Sequence, residues 1–191
     1  MKTFLTILTF LTFLPATALA QDAAAGKTKA AVCGACHGAD GNSAIPQNPT
    51  LAGQTARYLY LQLRDFKEGK RKDPIMSPMA ANLTKTDMFD LAAYFSTQKP
   101  NGQGSKGDAS KVAAGKTVAD NALCPMCHLG GFSGQNEIPR VAGQQYEYAL
   151  KQLLDFKNKR RTNDAGNMTA VVRTLSDADL EAVAAYAASL D

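Results

Sequence analysis

Six residues hold most of the chemistry available to this chain: Cys33, Cys36, His37, Cys124, Cys127 and His128. They are all the cysteines and histidines in 191 residues. They fall into two Cys-x-x-Cys-His pentapeptides, Cys33-Gly34-Ala35-Cys36-His37 and Cys124-Pro125-Met126-Cys127-His128. Two thiols one helical turn apart can each add to a vinyl group at a porphyrin edge, and the adjacent imidazole then ligates the iron. The expected cofactors are two covalently bound haem c groups. Three other uses of such residues fit less well. A thioredoxin-like pair needs a βαβ setting, which the sequence does not offer. A zinc ribbon places its two pairs some 15 to 20 residues apart, whereas 87 residues lie between Cys36 and Cys124. Two structural disulfides would explain an even cysteine count, but not a histidine after each pair.

With His37 and His128 as proximal ligands, no histidine remains for the other face of either iron. Methionine sulfur is the usual alternative in cytochromes c. Of the six methionines, Met1 lies in the N-terminal segment and Met126 sits between two cysteines. Met168 is then the candidate in the second half. It precedes Leu175 by seven residues, as Met76 precedes Leu83 by seven, and this register selects Met76 for the first haem. Met79 remains open as a ligand, and Met88 reads as core because it lies on an apolar helical stripe. Pro49 follows His37 by 12 residues and Pro139 follows His128 by 11. A carbonyl there can accept the imidazole Nδ1–H and fix its tautomer; Pro46 is a rival for the first of these. Tyr94 and Tyr186 read as core.

The elements that must position these groups occur twice. Ala24-Ala25-Gly26-Lys27-Thr28 recurs as Ala113-Ala114-Gly115-Lys116-Thr117, and Pro49–Arg71 matches Pro139–Arg161 with 11 of 23 positions identical. Thr84-Lys85-Thr86-Asp87 and Ser176-Asp177-Ala178-Asp179 are capping-box starts. Behind them Met88, Leu91, Ala92, Phe95 and Leu180, Val183, Ala184, Ala187 form apolar stripes of helical period. Further helices are expected over about 55–70 and 145–160, and before each cysteine pair. No stretch alternates as a strand does. The fold class is all-α, with domains at 21–98 and 108–191 joined by a Gly/Pro-rich linker at 99–107. Units this small need a cofactor or staple to complete a core.

The composition is 45% hydrophobic and 20% charged, with a net charge of +4. That excludes a disordered tail or multi-span membrane protein and is too weakly basic to imply nucleic acid. Residues 1–20 read as a signal peptide: Lys2, an apolar run to Leu14, and Ala18-Leu19-Ala20 before the cut. Gly26-Lys27-Thr28 and Gly115-Lys116-Thr117 are not phosphate loops, because Gln21 and Ser110 stand where such a loop requires glycine. Lys67, Lys70, Arg71, Lys72 and Lys157, Lys159, Arg160, Arg161 form basic runs. They either steer an acidic redox partner or complement a helix C-terminus.

Over the whole mature chain the sequence resembles the di-haem cytochromes c4, tandem class I cytochrome c domains. Leu51-Ala52-Gly53-Gln54 and Asp73-Pro74-Ile75-Met76-Ser77-Pro78-Met79-Ala80 look particularly similar to that family. The resemblance implies a pseudo-twofold pair with haem propionates facing across the interface. It also implies a periplasmic electron carrier serving a respiratory donor and a terminal oxidase or reductase, in some members associated with the inner membrane. With both axial positions of each iron filled there is nowhere for a substrate to bind, so no catalysis and no small-molecule substrate are expected. Similar di-haem chains serve as the electron-accepting subunit of flavocytochrome c sulfide dehydrogenase, and a di-haem peroxidase is a remote alternative. The second copy departs from the first in being two residues longer before Met168.

Overall fold

The computed structural model describes residues 21–191; the expected signal peptide lies outside them. The first copy contains α1 (Ala23–Lys29), α2 (Gly34–His37), α3 (Ala56–Lys67), α4 (Met76–Ala80) and α5 (Lys85–Thr97). The second contains α6 (Val112–Asn121), α7 (Cys124–His128), α8 (Tyr146–Lys157), α9 (Asn167–Val172) and α10 (Asp177–Ser189). The described residues contain no strand, only an isolated bridge between Gln135 and Ile138. Residues 99–107 hold no helix.

Local chemistry sets the helix ends. Asp22 caps α1 by accepting the Ala24 and Ala25 N–H groups. Both expected capping boxes are formed, Thr84 with Asp87 at α5 and Ser176 with Asp179 at α10. α3 begins behind Thr55, whose hydroxyl accepts the Tyr58 N–H. It ends at Lys67, where the ammonium donates to the Leu83 carbonyl.

Each copy is closed by crossing its first helix over its last, α1 on α5 and α6 on α10. Glycine makes these crossings possible. A Cβ on Gly26 would lie 2.0 Å from the Asp90 carbonyl oxygen, and one on Gly115 would lie 1.9 Å from that of Ala182. α3 and α8 then pack across α5 and α10. The first core gathers Ala30, Leu59, Leu91, Ala92, Tyr94 and Phe95. The second gathers Ala119, Phe132, Ala142, Val183 and Ala187, with Phe156, Val172 and Leu180 in a satellite cluster. Met88 is buried at 3% exposure, as the helical stripe predicts.

The two copies meet along a seam with approximate twofold symmetry. Gln54 bonds to the backbone of Arg140, and Gln144 bonds to that of Thr50. Arg71 reaches Tyr148 and Gln152, while Arg161 reaches Tyr58 and Gln62, the same pairs exchanged. Each guanidinium also stacks on its own domain's phenylalanine, Arg71 on Phe66 at 4.6 Å and Arg161 on Phe156 at 4.5 Å. Gln145 adds a bond to the Ser43 carbonyl and Thr55 one to the Asn136 carbonyl.

Candidate haem sites

Each cysteine pair sits on a short helical turn that ends in its histidine, α2 with Cys33 as its cap and α7 from Cys124 to His128. All four thiols are free; Cys33 and Cys124 are half-buried, Cys36 and Cys127 exposed. Burial pushes the Cys33 and Cys124 thiols up, so both stay protonated near neutral pH.

The imidazoles turn inward, 6% exposed at His37 and 8% at His128. Their Nδ1 atoms lie 2.9 Å from the Pro49 and Pro139 carbonyl oxygens. A carbonyl only accepts, so the proton is on Nδ1 and the Nε2 lone pair is left for a metal. Burial pushes both imidazole pKa values down, against the smaller opposing effect of the proline carbonyls. Pro46 has no such contact with His37; Pro49 takes the Nδ1–H. Behind the first cysteine turn, the Ser43 hydroxyl and Asn48 amide donate to the Cys36 carbonyl, and the Tyr94 hydroxyl donates to that of Ala39.

The methionine segments are built on aspartate-capped turns. The Asp73 carboxylate accepts the Ile75 and Met76 N–H groups, both at 2.9 Å. The longer second loop reaches the same end with Asp164, which accepts the Gly166 and Thr169 N–H groups and the Thr169 hydroxyl. Met76 and Met168 are half-buried at the starts of α4 and α9. Met79 is 47% exposed and Met126 is 73% exposed.

The basic runs do not form two free faces. Arg71 and Arg161 are buried in the seam, at 9% and 8% exposure. Lys67 and Lys157 bond to the carbonyls of Leu83 and Leu175. The remainder, Lys70, Lys72, Lys159 and Arg160, joins Arg64 along a groove of about 590 Å³ at the seam.

The cysteines and histidines fit a covalent haem: free thiols in pairs, and beside each pair an imidazole with one nitrogen tied and the other available. The seam fits one too. Arg140 Nε is buried without a hydrogen-bond partner among the described residues, and Arg71 and Arg161 bond only to neutral groups. Such cations suit a cofactor that carries carboxylates.

The sequence pattern of the cytochrome c family matches residues 23–99 and again 112–191. The chain belongs to the cytochrome c family. Its tandem form is that of cytochrome c4. The chain is 42% identical to the cytochrome c4 of Azotobacter vinelandii, over 94% of this chain and 96% of that one. It also matches the crystal structure of reduced recombinant cytochrome c4 from Pseudomonas stutzeri, with a TM-score of 0.84 and 40% identity. That match covers 90% of this chain and 100% of the other. A thiosulfate dehydrogenase electron acceptor from Thiomonas intermedia (strain K12) is 35% identical, over 87% of this chain and 82% of its own. The protein is thus a di-haem electron-transfer cytochrome, with one covalent haem c in each domain.

The pseudo-twofold pairing was expected, but sequence reasoning missed the residues that build the seam. Gln54 and Gln144 stand at matching positions of the two copies, outside both Cys-x-x-Cys-His motifs. A glutamine kept in both halves after the same Ala-Gly pair was the available signal.

Proposed function

We propose that this cytochrome is a periplasmic electron carrier with two closed iron sites, His37 with Met76 and His128 with Met168. Cys33, Cys36, Cys124 and Cys127 hold the porphyrins. The domains run over 21–98 and 108–191. The observation that carries the reading is the repeated Nδ1 contact: Pro49 and Pro139 each take the histidine proton at 2.9 Å, which leaves Nε2 as ligand. The half-burial of Met76, and the hold of Asp73 on its N–H, support it over the exposed Met79. Bound haem supplies a one-electron Fe(II)/Fe(III) couple. The chain's part is to keep both ligands in place through that change and to exclude competing ligands, so it catalyses no reaction on a substrate.

Partners are then redox proteins, a respiratory donor on one side and a terminal oxidase or reductase on the other, with the carrier free or held peripherally at the inner membrane. The relative that accepts electrons for thiosulfate dehydrogenase supports a sulfur-oxidising enzyme as one such donor. The groove of Lys70, Lys72, Lys159 and Arg160 supports steering of an acidic partner, which salt weakens.

The test is the optical spectrum of reduced holoprotein with and without carbon monoxide. The parent protein is expected to be unchanged, while Met76→Ala and Met168→Ala each open one haem and shift half of the signal; Met79→Ala changes nothing. A shift in the parent protein would overturn the closed-site reading, and a shift in Met79→Ala alone would move the first ligand to Met79.

A further inference from the structure

The same peptide group that anchors each proximal histidine is gripped from its other side by the opposite domain. In the plane joining Pro139 to Arg140, the carbonyl oxygen takes the His128 Nδ1–H at 2.9 Å. The N–H of that plane donates to Gln54 Oε1 at 2.8 Å. The plane joining Pro49 to Thr50 repeats this: its oxygen takes the His37 Nδ1–H at 2.9 Å, and its N–H donates to Gln144 Oε1 at 2.8 Å. Each glutamine closes a second bond, Gln54 Nε2 to the Arg140 carbonyl at 2.8 Å and Gln144 Nε2 to the Thr50 carbonyl at 3.0 Å. Both side chains are more than nine-tenths buried. Their Oε1 atoms also accept the next N–H of their own chain, Thr55 at 3.0 Å and Gln145 at 2.9 Å. These contacts fix each carboxamide's orientation, with its oxygen toward the N–H groups.

We propose that Gln54 and Gln144 are positioning residues that act crosswise, each setting the donor strength of the proximal histidine in the other domain. The rationale is the conjugation of a single amide. A peptide unit is planar and delocalised. Accepting its N–H draws electron density toward its oxygen, and successive hydrogen bonds through one amide strengthen each other. The more negative oxygen pulls harder on the imidazole Nδ1–H. That raises the basicity of Nε2 toward iron and favours the ferric state. Gln54 thereby acts on the haem bound at Cys124 and Cys127, and Gln144 on the haem at Cys33 and Cys36. The proposal rests on the reading of His37 and His128 as proximal ligands. It goes beyond that reading in making each domain's redox equilibrium depend on a side chain of its neighbour.

The experiment measures the two midpoint potentials in the full-length holoprotein, each assigned to its haem through hyperfine-shifted proton resonances. Gln54→Leu removes the acceptor. It is expected to raise the ferrous-to-ferric ratio of the second-domain haem about 1.2- to twofold at a fixed potential, the ~10–30% by which one hydrogen bond strengthens the next, and to leave the first-domain haem in place. Gln144→Leu is expected to do the reverse. Gln54→Glu keeps an oxygen for the Arg140 N–H and makes it a stronger acceptor, so the second-domain haem moves the opposite way, and by more than the first-domain haem, which feels the added charge only through space. A mere loosening of the seam would not invert with glutamate and would move both haems together. Two haems per chain in Gln54→Glu serve as the folding control if a leucine variant matures poorly; its melting temperature falls, because a carboxylate cannot donate to the Arg140 carbonyl as Gln54 Nε2 does. A shift in the domain that carries the substitution, equal shifts in both, or no shift in any variant would overturn the proposal. Failure of the ligand reading itself would show separately, as a carbon monoxide-sensitive spectrum in the parent protein.

Discussion

The two domains share one backbone but hold its left-handed positions with different residues. The first copy uses glycine at Gly38, Gly41 and Gly69, with φ of 79°, 82° and 70°. The matching positions of the second copy are Leu129, Phe132 and Lys159, at φ of 64°, 57° and 56°. All six non-glycine residues with positive φ among those described lie in the second copy. Side chains there cost about 1–2 kcal/mol each in backbone strain, so each must return something in packing. Phe132 does. It is 3% exposed and meets Tyr186 edge-on at 5.5 Å. In the first copy the loop has Gly41, and a Cβ there would lie 2.8 Å from the Phe95 ring. Phe95 and Ala187 hold equivalent places, since their carbonyls take the Gly53 and Gly143 N–H groups. The domains have therefore exchanged a large and a small residue across one contact. The lesson is that the core volume is held, while the element that fills it is free to change.

That exchange gives the largest expected effect. Phe132→Gly should lower the stability of the second domain by about 3 kcal/mol, the loss of a buried aromatic less the strain relieved. Adding Ala187→Phe should restore much of it. Urea unfolding of the single and double variants measures the coupling, and simple additivity would show that the two sites do not share one space.

A smaller contrast lies in the charges beneath the helix crossings. Asp90 is 3% exposed, ion-paired with Lys29 at 2.6 Å, and accepts the Asp22 N–H at 3.0 Å. The Lys29 ammonium first, and the Asp22 N–H second, hold its carboxyl below the usual carboxylate range. A carboxyl depressed on folding stabilises above its unfolded pKa, near 4, and loses that stabilisation as pH falls through the folded value. Asp90→Asn should cost the first domain about 1–3 kcal/mol at neutral pH and flatten the acid side of its stability curve. The second copy has Ala182 at the same crossing and a half-exposed pair, Lys111 with Glu181, nearby. Glu181→Gln should therefore cost under ~0.5 kcal/mol. Thermal unfolding from pH 3 to 7 separates the two, and equal losses would remove the distinction.

The smallest effect belongs to an open turn. Gly69 has no heavy atom within 4 Å of a built Cβ, so only its φ of 70° matters. Gly69→Ala should cost about 1 kcal/mol. Lys159→Gly should change stability by only a few tenths of a kcal/mol, because relieved strain is offset by a freer unfolded chain. Melting temperatures of the pair check the sign.

The parts legible in the sequence were those that a local pattern determines. Helix periodicity placed α3 and α8, capping chemistry placed the starts of α5 and α10, and spacing placed Pro49 and Pro139 beside their histidines. The linear sequence does not show which residues meet between copies. Arg71 and Arg161 read as solvent-facing members of basic runs, yet their planar guanidiniums stack on Phe66 and Phe156 inside the seam. Lys70 and Lys72, on either side of Arg71, stay exposed. The left-handed Leu129 and Phe132 were equally hidden, because nothing in a leucine or phenylalanine announces positive φ.

Gly26 and Gly115 have a bearing on the order of events during folding. The crossings they permit join the first helix of each domain to its last; the Asp22–Asp90 bond beside one of them closes a span of 68 residues. A contact so distant in sequence closes a long loop, and on a chain emerging N-terminus first it cannot form before its far partner is present. The terminal helix therefore acts as a latch, and a domain emerging from its N-terminus stays open until nearly all of it is present. During that interval the cysteine pair, which follows directly on the first helix, lies on unclosed chain, where a porphyrin can reach both thiols before the fold shuts around it.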